Sequence, residues 1–481
     1  MFTDERRLVH SRPRCGSARE NLIEVKPSLA IAVTVLGLAA GCGQGSHAGP
    51  SGQGDTADES EPLRPNWHQD VAPIIHERCV GCHRPSGSAP FSLQDFESAA
   101  PWSSLSAELV ADGLMPPWGA HETDECQPTH GWVDDPRLSA EQVATLGEWA
   151  AIGAPEGDPA DAAPLPIPAD RSLTDPSDIF ENPSPTVLDG KADRFVCFSL
   201  DTGLAEDVWI TGVELLPDNE QVVHHVLIFL DETGASAALA GPDGSYPCDD
   251  LHLGALLGSY FPGSVPTELP ADVGVRFPVG ARIVLNYHYH PSGAGQDVDQ
   301  SSLAVRWTSS APAYHALIST IGNATTAAGG LLPGPDDPDG EPTFMIPAGA
   351  SGHTETMQIT LAEGLPALEL FMLGPHMHHV GTDFRVTVER DGEARCLIQD
   401  PHWDPDWQSL YTIDASLGSY PTLAGGDVLT IRCSYDNTLD NPAVVEALAD
   451  VGLDAPINSY FGSAGLDEMC MLVYGIAVPH P

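Results

Sequence analysis

The sequence predicts a multidomain chain in which a small all-α domain is followed by two antiparallel β-sandwich domains, jelly-roll-like in character. Three observations predict it. Apolar residues recur with helical spacing up to about residue 158 and with strand-like alternation after about residue 185. A Pro-, Ala- and Asp-rich stretch from Gly157 to Pro185 separates the two regimes and reads as a linker. A second Gly-, Pro- and Asp-rich stretch, Gly329 to Pro342, divides the strand-rich part into halves that each suit one sandwich. The length agrees, since 481 residues at 42% hydrophobic composition can bury a real core and should divide into about three or four domains.

Taken in order, the chain opens with an apolar run, Ser28 to Gly41, preceded by Lys26 and closed by small residues. The run is too short to span a bilayer and has the form of a secretory signal, whereas the mixed charges before Lys26 are unlike a signal start and fit a later initiation site. Its end, Leu38-Ala39-Ala40-Gly41-Cys42, resembles a bacterial lipoprotein box, with Ala39 where a leucine is usual. That resemblance implies a signal peptide over residues 1–41, a lipid anchor at Cys42 and an address in the periplasm or on the outer surface of a bacterium. Residues 42–64, rich in Gly, Ser and acid, read as a flexible tether. The helical domain spans 65–158. Its helices are expected over Asp70 to Cys79, Leu93 to Ala100, Ser104 to Asp112 and Ser139 to Ile152, the last with Ser139 as its N-cap.

After the linker at 159–184, β-branched and aromatic runs bounded by turn residues predict strands over Asp207 to Pro217, Val222 to Leu230, Arg282 to Pro291, Leu370 to Val380, Phe384 to Arg390 and Val428 to Tyr435. They fall into two sandwiches, 185–330 and 331–481. The 68 acidic residues against 20 basic give a formal net charge of −48, which argues against nucleic acid or anionic headgroups as partners.

Chemistry is concentrated in few places. Cys79-Val80-Gly81-Cys82-His83 fits the attachment pattern for one covalently bound c-type haem, two thiols adding to the vinyl groups and His83 becoming the axial iron ligand. A disulfide or zinc pair beside a surface histidine is the alternative. Met115 is the one methionine of the domain and the candidate sixth ligand, with His121 or His130 as substitutes. The residues before the motif, and Met115-Pro116-Pro117-Trp118 after it, resemble class I cytochrome c domains fused to bacterial enzymes.

Seven of the 19 histidines lie in three clusters, His224-His225, His288-Tyr289-His290 and His376-Met377-His378-His379. Each cluster falls on an expected strand, where residues two apart share a face about 7 Å apart, so His376 and His378 can converge on one ion. Imidazole suits copper, zinc, iron or nickel, and a thioether partner favours copper. Met469, in Leu466-Asp467-Glu468-Met469-Cys470, offers one.

These segments, with Phe195-Val196-Cys197-Phe198 and Leu285-Asn286-Tyr287-His288-Tyr289-His290-Pro291, resemble in order the copper type II ascorbate-dependent monooxygenases, the family of dopamine β-hydroxylase and the peptidylglycine hydroxylating enzyme. The resemblance covers roughly 185–481. It implies two copper ions: an electron-transfer copper on His224, His225 and His288, and an oxygen-binding copper on His376, His378 and Met469. Adjacent His224 and His225 would point to opposite faces of a flat strand, so a bend or bulge must bring them together. His290 is the substitute third ligand of the first ion, and His379 points away. The family pattern also implies disulfides Cys197–Cys248 and Cys433–Cys470. Cys126 and Cys396 remain unassigned; their pairing would tie the helical domain to the second sandwich.

The function implied is hydroxylation of a C–H bond of a small organic substrate by O₂, with electrons supplied through the haem by a protein, a quinol chain or ascorbate. Where peptide-hydroxylating relatives anchor substrate, this chain has Gly374, Met471 and Val473, so a peptide carboxylate is not expected. The rival readings are an exported haem/copper electron-transfer or copper-binding protein without hydroxylase activity, and a zinc or iron hydrolase on the same histidines.

Overall fold

The computed structural model describes residues 64–480 apart from 168–169, 191, 249–253, 294, 336, 338–339 and 464. The expected signal peptide, the expected anchor at Cys42 and nearly all of the expected tether lie outside the described residues. The described chain is mostly β-sheet with few helices. Among the described residues no helix is long and apolar enough to cross a membrane.

The first segment is helical, and its elements follow from local chemistry. Asn66 caps a first turn over Trp67–Val71 by accepting from the Gln69 N–H, and the helix continues over Ala72–Arg78 to the cysteine motif. Further helices occupy Phe96–Ala99, Ser103–Ala111 and Ala140–Ala151. At the last, Ser139 accepts from the Gln142 N–H while Gln142 reaches back to the Ser139 N–H, so two orphan donors are satisfied reciprocally. Trp67, Val71, Ile75, Leu93, Leu146 and Trp149 form a core of their own. Burial of each such side chain stabilises by roughly 1.5–3 kcal/mol.

The strand-rich part is built on one eleven-stranded sheet that runs through both halves. Its first half carries Val208–Leu216, Ser302–Thr308 and Val273–Phe277; its second carries Tyr314–Gly322, Met471–Pro479 and Leu368–His376. The junction is a short parallel pairing of Val273 and Gly274 with Tyr314 and His315. A five-stranded sheet accompanies the first half and a four-stranded sheet the second, with one apolar core continuous through all three. Strand Tyr314–Gly322, which a boundary at 330 leaves in the first sandwich, pairs along nine residues with Met471–Pro479 of the second. The turn-rich stretch after Gly329 therefore follows a strand already laid into the second sheet.

Residues 119–133, which lie in sequence within the helical segment, also pack on the second half. Gly131–Trp132 pairs with Tyr411–Asp414 at the edge of the long sheet, the Tyr411 hydroxyl accepts from the Gly119 N–H, and Cys126 is disulfide-bonded to Cys396. The other two bridges are Cys197–Cys248 and Cys433–Cys470.

Candidate functional site

The first cluster sits on the five-stranded sheet, where strands Val223–Asp231 and Arg282–Tyr289 are neighbours. Their register pairs His288 with His225 but Tyr289 with Val223, leaving His224 as an extra, unpaired residue. This is the β-bulge that adjacent ligands require, and it turns both imidazoles to one side. His224 Nδ1 lies 3.1 Å from His225 Nδ1 and 3.2 Å from His288 Nδ1. Two imidazoles bound to one ion at about 2.0–2.1 Å would set their nitrogens near this spacing.

The outer edges of these rings are held by carboxylates. Asp193 accepts from His288 Nε2 at 2.7 Å, and Asp406 lies 3.3 Å from His224 Nε2. With Nε2 protonated for those partners, the Nδ1 lone pairs are left turned inward, the tautomer a metal ligand needs. Burial, with His288, His224 and His376 nearby, holds His225 well below the usual imidazole range, so it stays neutral. Phe195 stacks on His288 at 4.4 Å between ring centroids, and Phe261 lies 5.4 Å from His225. His290 is 59% exposed and bonded to Asp193; it is not among the three residues whose ligand atoms converge.

The second cluster forms where strand Leu368–His376 ends. His376 is the last strand residue, and His378 lies in the turn beyond it, so the expectation that strand alternation aligns the two is corrected. The turn is held by Glu468, a fully buried carboxyl that accepts the N–H groups of His378 at 2.8 Å, Val380 at 3.0 Å and Met469 at 2.9 Å. Together these place the two rings 5.3 Å apart and nearly perpendicular. Burial pushes Glu468 up to about 8 against those donors.

The Met469 segment runs alongside. His376 pairs with Met471 across the ladder, and beyond the strand ends the N–H groups of His378 and Met469 share one oxygen of Glu468. His378 Nδ1 donates to the Asp467 carbonyl at 2.9 Å, and Met469 is buried. The Cys433–Cys470 bridge and the Tyr435 hydroxyl, which donates to the Met469 carbonyl, pin the segment from behind. His376 Nδ1 donates to Gln408 Oε1 at 2.6 Å. Its Nε2 is out of reach of solvent and has no hydrogen-bond partner among the described residues. A buried ring nitrogen left without a partner is costly unless something absent from the protein alone occupies that direction. Burial and neighbouring His378 push His376 down to about 4, and burial lowers His378. Both remain neutral donors at physiological pH.

One segment touches both clusters. In Asp404-Pro405-Asp406-Trp407-Gln408, Asp406 meets His224 and Gln408 meets His376. Neither residue carries a local sequence signal, nor does Asp193, because each is brought in by tertiary packing. Glu468, by contrast, stands in the Asp467–Cys470 motif.

In the helical segment, Cys79 and Cys82 are free thiols and burial pushes Cys79 up to about 12. His83 Nδ1 donates to the Phe91 carbonyl at 3.1 Å, which leaves Nε2 as the ring's free lone pair. Two thiols beside an imidazole with one ring nitrogen open are residues that could hold a covalently attached haem. Met115 is half-buried against the same core as Cys79 and Phe91. The substitutes are engaged elsewhere: His121 Nε2 bonds to the Trp118 carbonyl, and His130 packs edge-on against Trp132 and hydrogen-bonds to the Leu397 backbone.

Residues 343–450 match the family model described as copper type II ascorbate-dependent monooxygenase, C-terminal domain. The match contains His376 and His378 and supports that family; His224, His225, His288 and Met469 lie outside the matched residues. No curated protein sequence matches the chain. Solved structures with partial likeness include the major capsid protein P2 from bacteriophage PM2, at 12% identity over 63% of this chain and 98% of that chain with a TM-score of 0.28. The STIV MCP is another, at 11% identity over 63% and 95% with a TM-score of 0.20. Likeness at this level carries no functional argument.

Proposed function

We propose that the chain is a copper-dependent monooxygenase that hydroxylates a C–H bond of a small organic substrate. The overall reaction takes substrate, O₂, two electrons and two protons to an alcohol and water. The observation that carries the reading is the convergence of three imidazoles at His224, His225 and His288, together with a second imidazole pair at His376 and His378 whose Glu468 support also holds the backbone of Met469, a thioether residue. Copper bound there would supply one-electron storage at the first cluster and oxygen activation at the second.

The chain's own residues do the positioning. Asp193 and Asp406 hold the outer nitrogens of His288 and His224, while Gln408 and the Asp467 carbonyl hold those of His376 and His378. Each fixes the tautomer that turns a lone pair toward the centre. Glu468 fixes the turn, and His376 Nε2 is shielded from solvent.

The substrate corner is apolar. A Cβ on Gly374 would meet Leu410 Cδ2 at 2.5 Å and Val473 Cβ at 3.3 Å, so the glycine is packed against apolar side chains and offers no group to bind a carboxylate. The haem, held by Cys79, Cys82 and His83 with Met115 as the sixth ligand, would pass on electrons from a protein, a quinol chain or ascorbate. Three disulfides suit an oxidising compartment, consistent with export to the periplasm or outer surface and anchoring through Cys42.

Metal analysis of the purified chain, followed by mass spectrometry of candidate substrates for a gain of one oxygen coupled to O₂ consumption, tests the reading. Two coppers, one haem and an oxygenated product are expected. Bound zinc or iron with hydrolytic products would overturn it, and a copper- and haem-loaded chain that passes electrons but makes no product would leave only electron transfer.

A further inference from the structure

We infer that the Cys79–His83 loop is docked on the three-histidine cluster, and that the Arg84–Glu220 pair and the turn Tyr260–Ser264 form the contact through which electrons reach His225. The inference rests on the reading of that loop as a haem site and adds the residues that join it to the first cluster.

Three contacts converge there. Arg84, next to His83, donates through one Nη2 to both carboxylate oxygens of Glu220, at 2.7 and 2.8 Å. Glu220 lies in the turn that leads into the strand carrying His224 and His225. Gly263, at φ +82°, faces Cys82, and a Cβ built on it would lie 3.4 Å from Cys82 Sγ, ordinary van der Waals distance. Two residues earlier, buried Phe261 lies against His225 with ring centroids 5.4 Å apart.

The turn between them is fixed. The Phe261 N–H donates to Ser264 Oγ at 3.1 Å, and the Ser264 N–H donates to the Phe261 carbonyl at 2.9 Å. Tyr260, at its start, is paired in the sheet with Val226, the residue after His225. Burial, Glu220 and Cys82 all push the Tyr260 hydroxyl up, as expected of a side chain wedged between the two parts.

From a thiol of the cysteine motif to an imidazole of the first cluster, the path is therefore one contact onto Gly263, a two-residue span of backbone, and one ring contact from Phe261. Electron tunnelling falls off steeply with every gap, so a short path with two contacts is the one that matters. A glycine at position 263 suits the positive φ of the turn that faces Cys82. Residues 119–133 of the same segment are also fastened to the second half, by the Gly131–Trp132 pairing and Cys126–Cys396.

The test uses the full chain loaded with haem and copper. The haem is reduced by a fast external pulse, and its reoxidation is followed optically while loss of the copper(II) signal is followed by electron paramagnetic resonance. In R84E the like charges oppose docking, and haem-to-copper transfer slows by about ten-fold; R84E/E220R restores it. F261A slows it with the copper(II) spectrum unchanged. In the chain without haem or copper, R84E raises amide hydrogen exchange at Phe261–Ser264. Transfer at the wild-type rate in both R84E and F261A, or exchange unmoved by R84E, would overturn the docking. A fully loaded wild-type chain showing no haem-to-copper transfer would instead overturn the reading of a haem-fed copper centre.

Discussion

Replacing Glu468 by alanine removes the acceptor that shapes the second cluster. Three backbone donors at 2.8–3.0 Å lose their partner at once, those of His378, Val380 and Met469, in a place no water reaches easily. Each buried N–H left unmade costs roughly 1–3 kcal/mol, so the loss is about 3–6 kcal/mol after partial relaxation. That is a large share of the roughly 5–15 kcal/mol that holds most domains together. Glu468→Gln keeps the volume and one acceptor oxygen but turns an amide N–H₂ toward the same donors, so about 1–3 kcal/mol is expected. The assay is urea unfolding with tryptophan fluorescence, paired with copper counting. E468A should fall from two coppers to one, with the spectrum of the first cluster retained, and E468Q should bind the second copper more weakly. A variant as stable as wild type with both coppers in place would refute the role given to this carboxyl.

Met469→Leu preserves apolar volume but removes the sulfur; it should cost less than about 1.5 kcal/mol of stability, abolish product formation and leave the copper of His224, His225 and His288 in place, read by metal analysis and turnover. Asp406→Asn keeps a hydrogen-bond acceptor but removes the charge facing His224. Copper affinity of the first cluster should fall by about 10-fold or more, seen in competitive chelator titration, with the second cluster unaffected. Asp400, fully buried at 4% exposure, is raised to about 7 by burial. Its folded pKa lies above its unfolded value, so its stabilising contribution is complete below about pH 4 and is lost as pH rises through 7. Asp400→Asn should therefore come closest to wild type at or below about pH 4 and be more stable at pH 8 by roughly 2–4 kcal/mol, measured by unfolding midpoints across that range.

The parts legible in the sequence are those set by local chemistry. Ser139 announces its helix because a capping box needs only residues three apart. The bulge at His224 follows from two neighbouring histidines that cannot share a face of a flat strand. What stayed hidden was tertiary. His378 leaves the strand because Glu468, ninety positions away, captures the turn's N–H groups. Residues 119–133 join the second half through a two-residue strand and a disulfide, and neither short pairings nor disulfide connectivity can be deduced from one sequence. The single long sheet was also out of view, because its parallel junction at Val273–Gly274 and Tyr314–His315 involves two residues on each side. Asp193, Asp406 and Gln408 carry no pattern at all until folding sets them against imidazoles.

The copper reading requires two unlike ligand sets preformed in this chain. Diffraction from copper-loaded crystals, recorded on both sides of the copper absorption edge, tests it directly. The account predicts two anomalous peaks: one among the Nδ1 atoms of His224, His225 and His288, and one between His376 Nε2, His378 and the Met469 sulfur. A single peak, or a second peak away from Met469, would contradict it.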